Sequence, residues 1–60
     1  MTLYDKIKQL AKSSGISIAA LEVRAGVANG TISGWRTGRP YAETLKKVAD
    51  ALGVSIEELL

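Results

Sequence analysis

The sequence contains no cysteine and no histidine, and only one proline. Without cysteine there is no disulfide framework, and without either residue there is no thiolate or imidazole zinc site, so zinc fingers are excluded. The commonest nucleophiles and bases of enzyme active sites are missing for the same reason, and catalysis is not expected. No apolar run approaches the ~20 residues that a membrane-spanning helix needs. The opening Met1-Thr2-Leu3-Tyr4-Asp5 also lacks the basic-then-apolar order of a secretory signal. A soluble, intracellular protein without cofactor or metal is expected.

What remains is sixty residues, enough for one small domain over 1–60 and no second one. At 47% hydrophobic and 23% charged the composition is globular rather than disordered. A chain this short buries only ~60% of its unfolded surface, so it has to be well packed. The net charge of +2 is unevenly distributed. Up to Arg39, Lys6, Lys8, Lys12, Arg24, Arg36 and Arg39 face only Asp5 and Glu22, whereas the remainder is acidic on balance. A phosphate-bearing partner is expected on the basic part.

Apolar residues recur at threes and fours and nowhere alternate, which predicts an all-helical chain of five short helices. Thr2 and Asp5 form a capping box for a first helix over about Leu3 to Ser13, with Leu3, Ile7, Leu10 and Ala11 as its apolar stripe and Ser14-Gly15 as its stop. Ser17 is the natural N-cap of a second helix over about Ile18 to Ala25, with Ile18, Leu21 and Ala25 inward and Gly26 at its end. A third helix is predicted from Asn29 or Gly30 to Arg36, burying Ile32 and Trp35 and ending at Thr37-Gly38 before Arg39-Pro40. Ala42 to Leu52 forms the fourth, with Leu45, Val48, Ala49 and Leu52 inward and Gly53 as the stop. Ser55 and Glu58 make a capping box for a fifth, with Val54 and Leu59 placed for a hydrophobic staple. The apolar Leu59-Leu60 ending points to the opening domain of a longer regulator, or to apolar surface that a second copy covers.

The segment from Ser17 to Trp35 has helix-turn-helix proportions. With Leu21-Glu22, Gly26, Asn29-Gly30-Thr31-Ile32, Trp35, Pro40, Leu45, Lys47-Val48-Ala49, Leu52, Val54-Ser55 and Leu59, the whole chain resembles the Cro/lambda-repressor type of helix-turn-helix domain. Within that type it is similar to the short repressors of phages and mobile elements of low-GC Gram-positive bacteria. The resemblance implies a compact five-helix domain whose third helix lies in the major groove of double-stranded DNA, acting as a dimer on a two-fold-symmetric operator in the bacterial cytoplasm. The base-reading positions then fall on Ala28, Asn29, Gly30, Ser33 and Gly34. Phosphate contacts fall on Ser17, Thr31, Arg36, Thr37, Gly38 and Arg39, and the dimer patch on Val54, Ile56, Leu59 and Leu60.

Three positions depart from the common pattern. Ile18 stands where many relatives have a phosphate-touching glutamine, so that contact is lost. Glu22 stands where a small residue is usual; either its carboxylate accepts from backbone N–H groups at the start of helix three, or it is solvated beside Arg24. The reading face carries only small side chains, of which Asn29 alone can pair bidentately with a base, adenine. Asn29 has a competing role as N-cap of helix three, bonding the N–H of Thr31 or Ile32.

Gly30 and Gly34 weaken a short helix, so they serve close approach to the groove or are weak spots. Arg36 and Arg39 flank a Thr-Gly turn whose exposed N–H groups suit phosphate oxygens, the alternatives being solvated arginines or an ion pair of Arg36 with helix one or two. Lys6, Lys8 and Lys12 form a solubilising face, Trp35 fills the core, and Tyr41 packs on the core edge or reaches a phosphate. The carboxylates fall mostly at helix starts and on outer faces, without a metal-binding pattern. Two functions compete: a DNA-binding repressor, and a protein-interaction version of the same fold with weak or no DNA binding.

Overall fold

The first helix starts where a capping box places it. In the computed structural model, which describes residues 2–59, the Thr2 N–H donates to Asp5 Oδ2 and the Asp5 N–H donates to Thr2 Oγ1, both at 3.2 Å. Helix α1 runs over Leu3–Ser13, α2 over Ile18–Ala25, α3 over Ala42–Leu52 and α4 over Ile56–Leu59. Ser17 caps α2 through its hydroxyl oxygen, which accepts the Ala20 N–H at 3.0 Å. Gly26 ends α2 in the left-handed conformation, at φ +75°. That lets the Gly26 N–H reach the Val23 carbonyl at 3.1 Å and the Val27 N–H reach the Glu22 carbonyl at 3.0 Å, the paired closure of a Schellman motif. The same closure recurs at Ile16 onto Ala11 and at Val54 onto Ala49.

The predicted third helix is the one that differs. Where five α-helices were expected, the described residues contain four, and the third predicted segment is a β-turn followed by a four-residue 3-10 helix, Ser33–Arg36. The Thr31 N–H donates back to the Ala28 carbonyl at 3.1 Å, and Gly30, third in that turn, has φ +88°, which a type II turn requires and an α-helix forbids. Gly34, inside the following turn, adds a helix penalty of about 1 kcal/mol relative to alanine. Ile32 and Trp35 are three residues apart, a spacing that a 3-10 turn buries as well as an α-helix does.

Among the described residues nine apolar side chains form the core: Ile7, Ala11, Leu21, Ile32, Trp35, Leu45, Val48, Ala49 and Leu59. Helix α2 packs chiefly on α3, while α1 lies across the 3-10 segment, α2 and α4. Leu59 is buried in this core, so it is not presented to a second copy; Val54 and Ile56 are half-buried against it, and Leu60 lies outside the described residues.

Leu21 has no exposed surface, whereas Val23, two residues on, is 81% exposed. Leu21→Ala is expected to cost ~2–5 kcal/mol, enough to unfold much of a domain this small, and Val23→Ala to stay within about 0.5 kcal/mol of the parent. Thermal and urea unfolding followed by circular dichroism would measure both; equal effects would refute the packing described. At the start of α1, the Asp5 carboxyl is held below its ordinary 3.8 by the Thr2 backbone N–H, then the Thr2 hydroxyl, with Lys8 adding a smaller attraction. Because the folded value is the lower one, this carboxylate contributes stability above the unfolded value and loses it as pH falls through the folded value. Asp5→Asn should therefore be less stable than the parent near neutral pH, with the gap closing below pH 3.8.

Candidate nucleic-acid interface

Between α2 and α3 the chain presents a segment supported from behind and open in front. Ile32 and Trp35 anchor it to the core, while Ala28, Asn29, Gly30, Ser33 and Gly34 are all exposed. All five predicted base-reading residues thus share one short exposed stretch. Backbone bonds tie it together: the Gly34 N–H donates to the Gly30 carbonyl and the Gly38 N–H to the Gly34 carbonyl, each at 3.0 Å. The fit at the second step is close, since a Cβ on Gly38 would lie 3.3 Å from the Gly34 carbonyl oxygen.

The start of this segment is held by a carboxylate from the preceding helix. Glu22 is only 2% exposed, and its Oε1 accepts the Gly30 N–H at 3.1 Å while its Oε2 accepts the Ile32 N–H at 2.8 Å. A buried carboxylate is tolerated only with such partners, and charge-assisted bonds of this kind are stronger than neutral ones. Of the two readings of Glu22, the structure has the buried acceptor and not the solvated side chain.

Residues 7–59 match the family model described as helix-turn-helix. The chain belongs to the Cro/C1-type helix-turn-helix family. No curated protein and no solved structure matches it. Membership makes this a DNA-binding regulatory domain, with double-stranded DNA as its partner class. Among the described residues no group of three or more acidic side chains is placed to hold a metal, and no helix is long and apolar enough to cross a membrane.

Around the helix-turn-helix, the predicted phosphate-contacting residues fall into two regions. Ser17, at the N-terminus of α2, accepts one hydrogen bond and keeps its hydroxyl proton to donate. Exposed Lys8 and Lys12 of α1 line a surface cleft with it, beside the half-buried Ile18. The second region is the loop after the 3-10 segment, where Arg36, Thr37, Gly38 and Arg39 are exposed. Here the expected exposed N–H groups are not available: those of Thr37 and Gly38 both turn inward to the Gly34 carbonyl, at 3.4 and 3.0 Å. The tight turn needs those two donors for itself. Thr31 is half-buried.

Arg36 makes a contact that the sequence reading missed. Its guanidinium carbon lies 5.7 Å from the centre of the Tyr4 ring on α1, within cation–π range. Tyr4 sits one residue off the Leu3–Ile7 stripe, and only the docking of α1 on the 3-10 segment brings the pair together. Tyr41, 84% exposed and making no side-chain cap bond to α3, does not pack on the core edge.

The two glycines of the reading segment should respond oppositely to alanine. At Gly30 the space is open but φ is +88°, so Gly30→Ala should cost about 1 kcal/mol through backbone strain alone. At Gly34 the φ is ordinary and a Cβ would meet nothing within 4 Å, so Gly34→Ala should be neutral or stabilise by up to ~1 kcal/mol. Equilibrium urea unfolding distinguishes the two; the same sign for both would contradict the turn geometry.

Proposed function

We propose that this helix-turn-helix domain is a transcriptional repressor of the phage or mobile-element type. It binds a two-fold-symmetric operator as a dimer in the bacterial cytoplasm, with the segment from Ala28 to Arg36 in the major groove. The observation that carries the reading is the exposed stretch Ala28, Asn29, Gly30, Ser33 and Gly34, anchored from behind by Ile32, Trp35 and Glu22. A reading element needs that combination: a fixed backbone and a surface free of the protein's own packing.

Asn29 is the direct reader, through its carboxamide to adenine N6 and N7. Ala28 meets a thymine methyl, and Ser33 donates to or accepts from a base edge. Gly30 and Gly34, with open space where a Cβ would stand, let the backbone approach the groove, which moves part of the specificity to groove shape. Ser17, Thr31, Arg36, Thr37 and Arg39 supply phosphate contacts, and Gly38 allows the backbone to pass close by. Val54 and Ile56, with Leu60, form the dimer patch. A protein-interaction role is the second reading, favoured by the lack of any large polar side chain on the reading face.

Selection against a randomised duplex pool, followed by binding of the enriched sequences at several salt concentrations, tests the proposal. The expected result is a symmetric site with half-sites ~10 bp apart, and an affinity that falls linearly in log[salt]. Gly34→Ala should bind that site more weakly although its fold is no less stable. Binding without sequence enrichment or salt dependence would favour the protein-interaction reading.

A further inference from the structure

A short polar residue ahead of a helical turn ordinarily spends its side chain on the N–H groups two or three residues further on. Asn29 stands in that position, and its targets would be the N–H groups of Thr31 and Ile32. Both are already occupied. The Thr31 N–H closes the turn onto the Ala28 carbonyl at 3.1 Å, and the Ile32 N–H is taken by Glu22 Oε2 at 2.8 Å. Glu22 Oε1 takes the remaining donor, the Gly30 N–H, at 3.1 Å. The left-handed Gly30, φ +88°, is part of this device, because it belongs to the backbone turn that lets one carboxylate accept from positions 30 and 32.

We infer that Glu22 is a positioning residue for base recognition: it replaces the cap that Asn29 would otherwise provide, and so releases the Asn29 carboxamide to an adenine edge. The inference rests on the DNA-reading function proposed above and deepens it. Glu22 itself is buried and touches no DNA. Its effect on specificity passes through residue 29. When Glu22 is lost, Asn29 turns back to the vacated Ile32 N–H, and the protein loses its one bidentate reader. The cost then appears at one base pair of the operator rather than across the whole site.

The test is a double-mutant cycle read out base pair by base pair. The parent domain first defines its operator. Asn29→Ala then identifies the base pair that residue 29 reads, where discrimination should fall roughly 5- to 150-fold. Glu22→Ala and Glu22→Gln are expected to lose discrimination at that same base pair more than at any other. The double variant Glu22→Ala with Asn29→Ala should discriminate there no worse than Asn29→Ala alone. Glutamine keeps one acceptor oxygen, so Glu22→Gln should fall between parent and Glu22→Ala, and it carries the test where Glu22→Ala does not fold. A purely structural Glu22 would weaken binding to all sequences alike, with discrimination at the residue-29 base pair unchanged. That pattern, or full multiplication of the two losses in the double variant, overturns the inference while leaving the DNA-reading function standing. Failure of the parent to enrich any operator overturns both.

Discussion

One carboxylate ties the structure's two jobs together. Glu22 sits buried in α2 next to Leu21, and its two oxygens reach the backbone of the segment that follows. Burying an ionised group in a domain this small is costly, and the cost is offset only when both oxygens find donors. The Gly30 and Ile32 N–H groups supply them, at and just beyond the turn from Ala28 to Thr31, where the left-handed conformation at position 30 favours glycine. The burial of Glu22, the turn geometry and the exposure of Ala28, Asn29 and Gly30 are therefore one coupled choice. Changing Glu22 or Gly30 separately would leave the other without its reason.

The coupling matters because a domain this small has little core to spare. With no cysteine to form a disulfide, the chain is stabilised by the nine core side chains found among the described residues and by well-satisfied helix ends. The three longer helices meet that need in the same way: each closes onto the carbonyl five residues back, so the connection to the next element costs few unpaired backbone groups. The segment between α2 and α3 has no such closure and no α-helix of its own. It borrows its acceptors from Glu22 at one end and from the Gly30 and Gly34 carbonyls further on.

Most of the fold was legible because its signals are local. Thr2 and Asp5, Ser17 and Gly26 mark helix boundaries by chemistry that depends only on neighbours within a few residues, and the structure has them there. The third helix was misread because Ile32 and Trp35 fit two periods. A spacing of three buries both side chains in an α-helix and in a 3-10 turn alike, and the arbiter was the backbone cost of Gly30 and Gly34, which a stripe of apolar residues does not reveal. Glu22 was legible only as a choice between two environments, since its burial depends on partners eight and ten residues further on. The Tyr4–Arg36 contact joins residues far apart in sequence, and no local pattern announces it.

For the DNA-reading function proposed, the small side chains of the exposed segment have a consequence. A helix-turn-helix that carries long polar groups can tolerate some error in backbone position, because those groups flex to reach their bases. Were the proposed function to hold, the reach from backbone to base would be short at every exposed position, Ala28, Asn29, Gly30, Ser33 and Gly34, so that backbone placement itself would set which contacts form. That would place unusual demands on whatever fixes the backbone: Ile32 and Trp35 from the core, Glu22 from α2, and, through Arg36, the ring of Tyr4 on α1. On the proposed function, support behind the segment takes over a part of recognition that larger side chains would perform in front of it, and Glu22 is one part of that support.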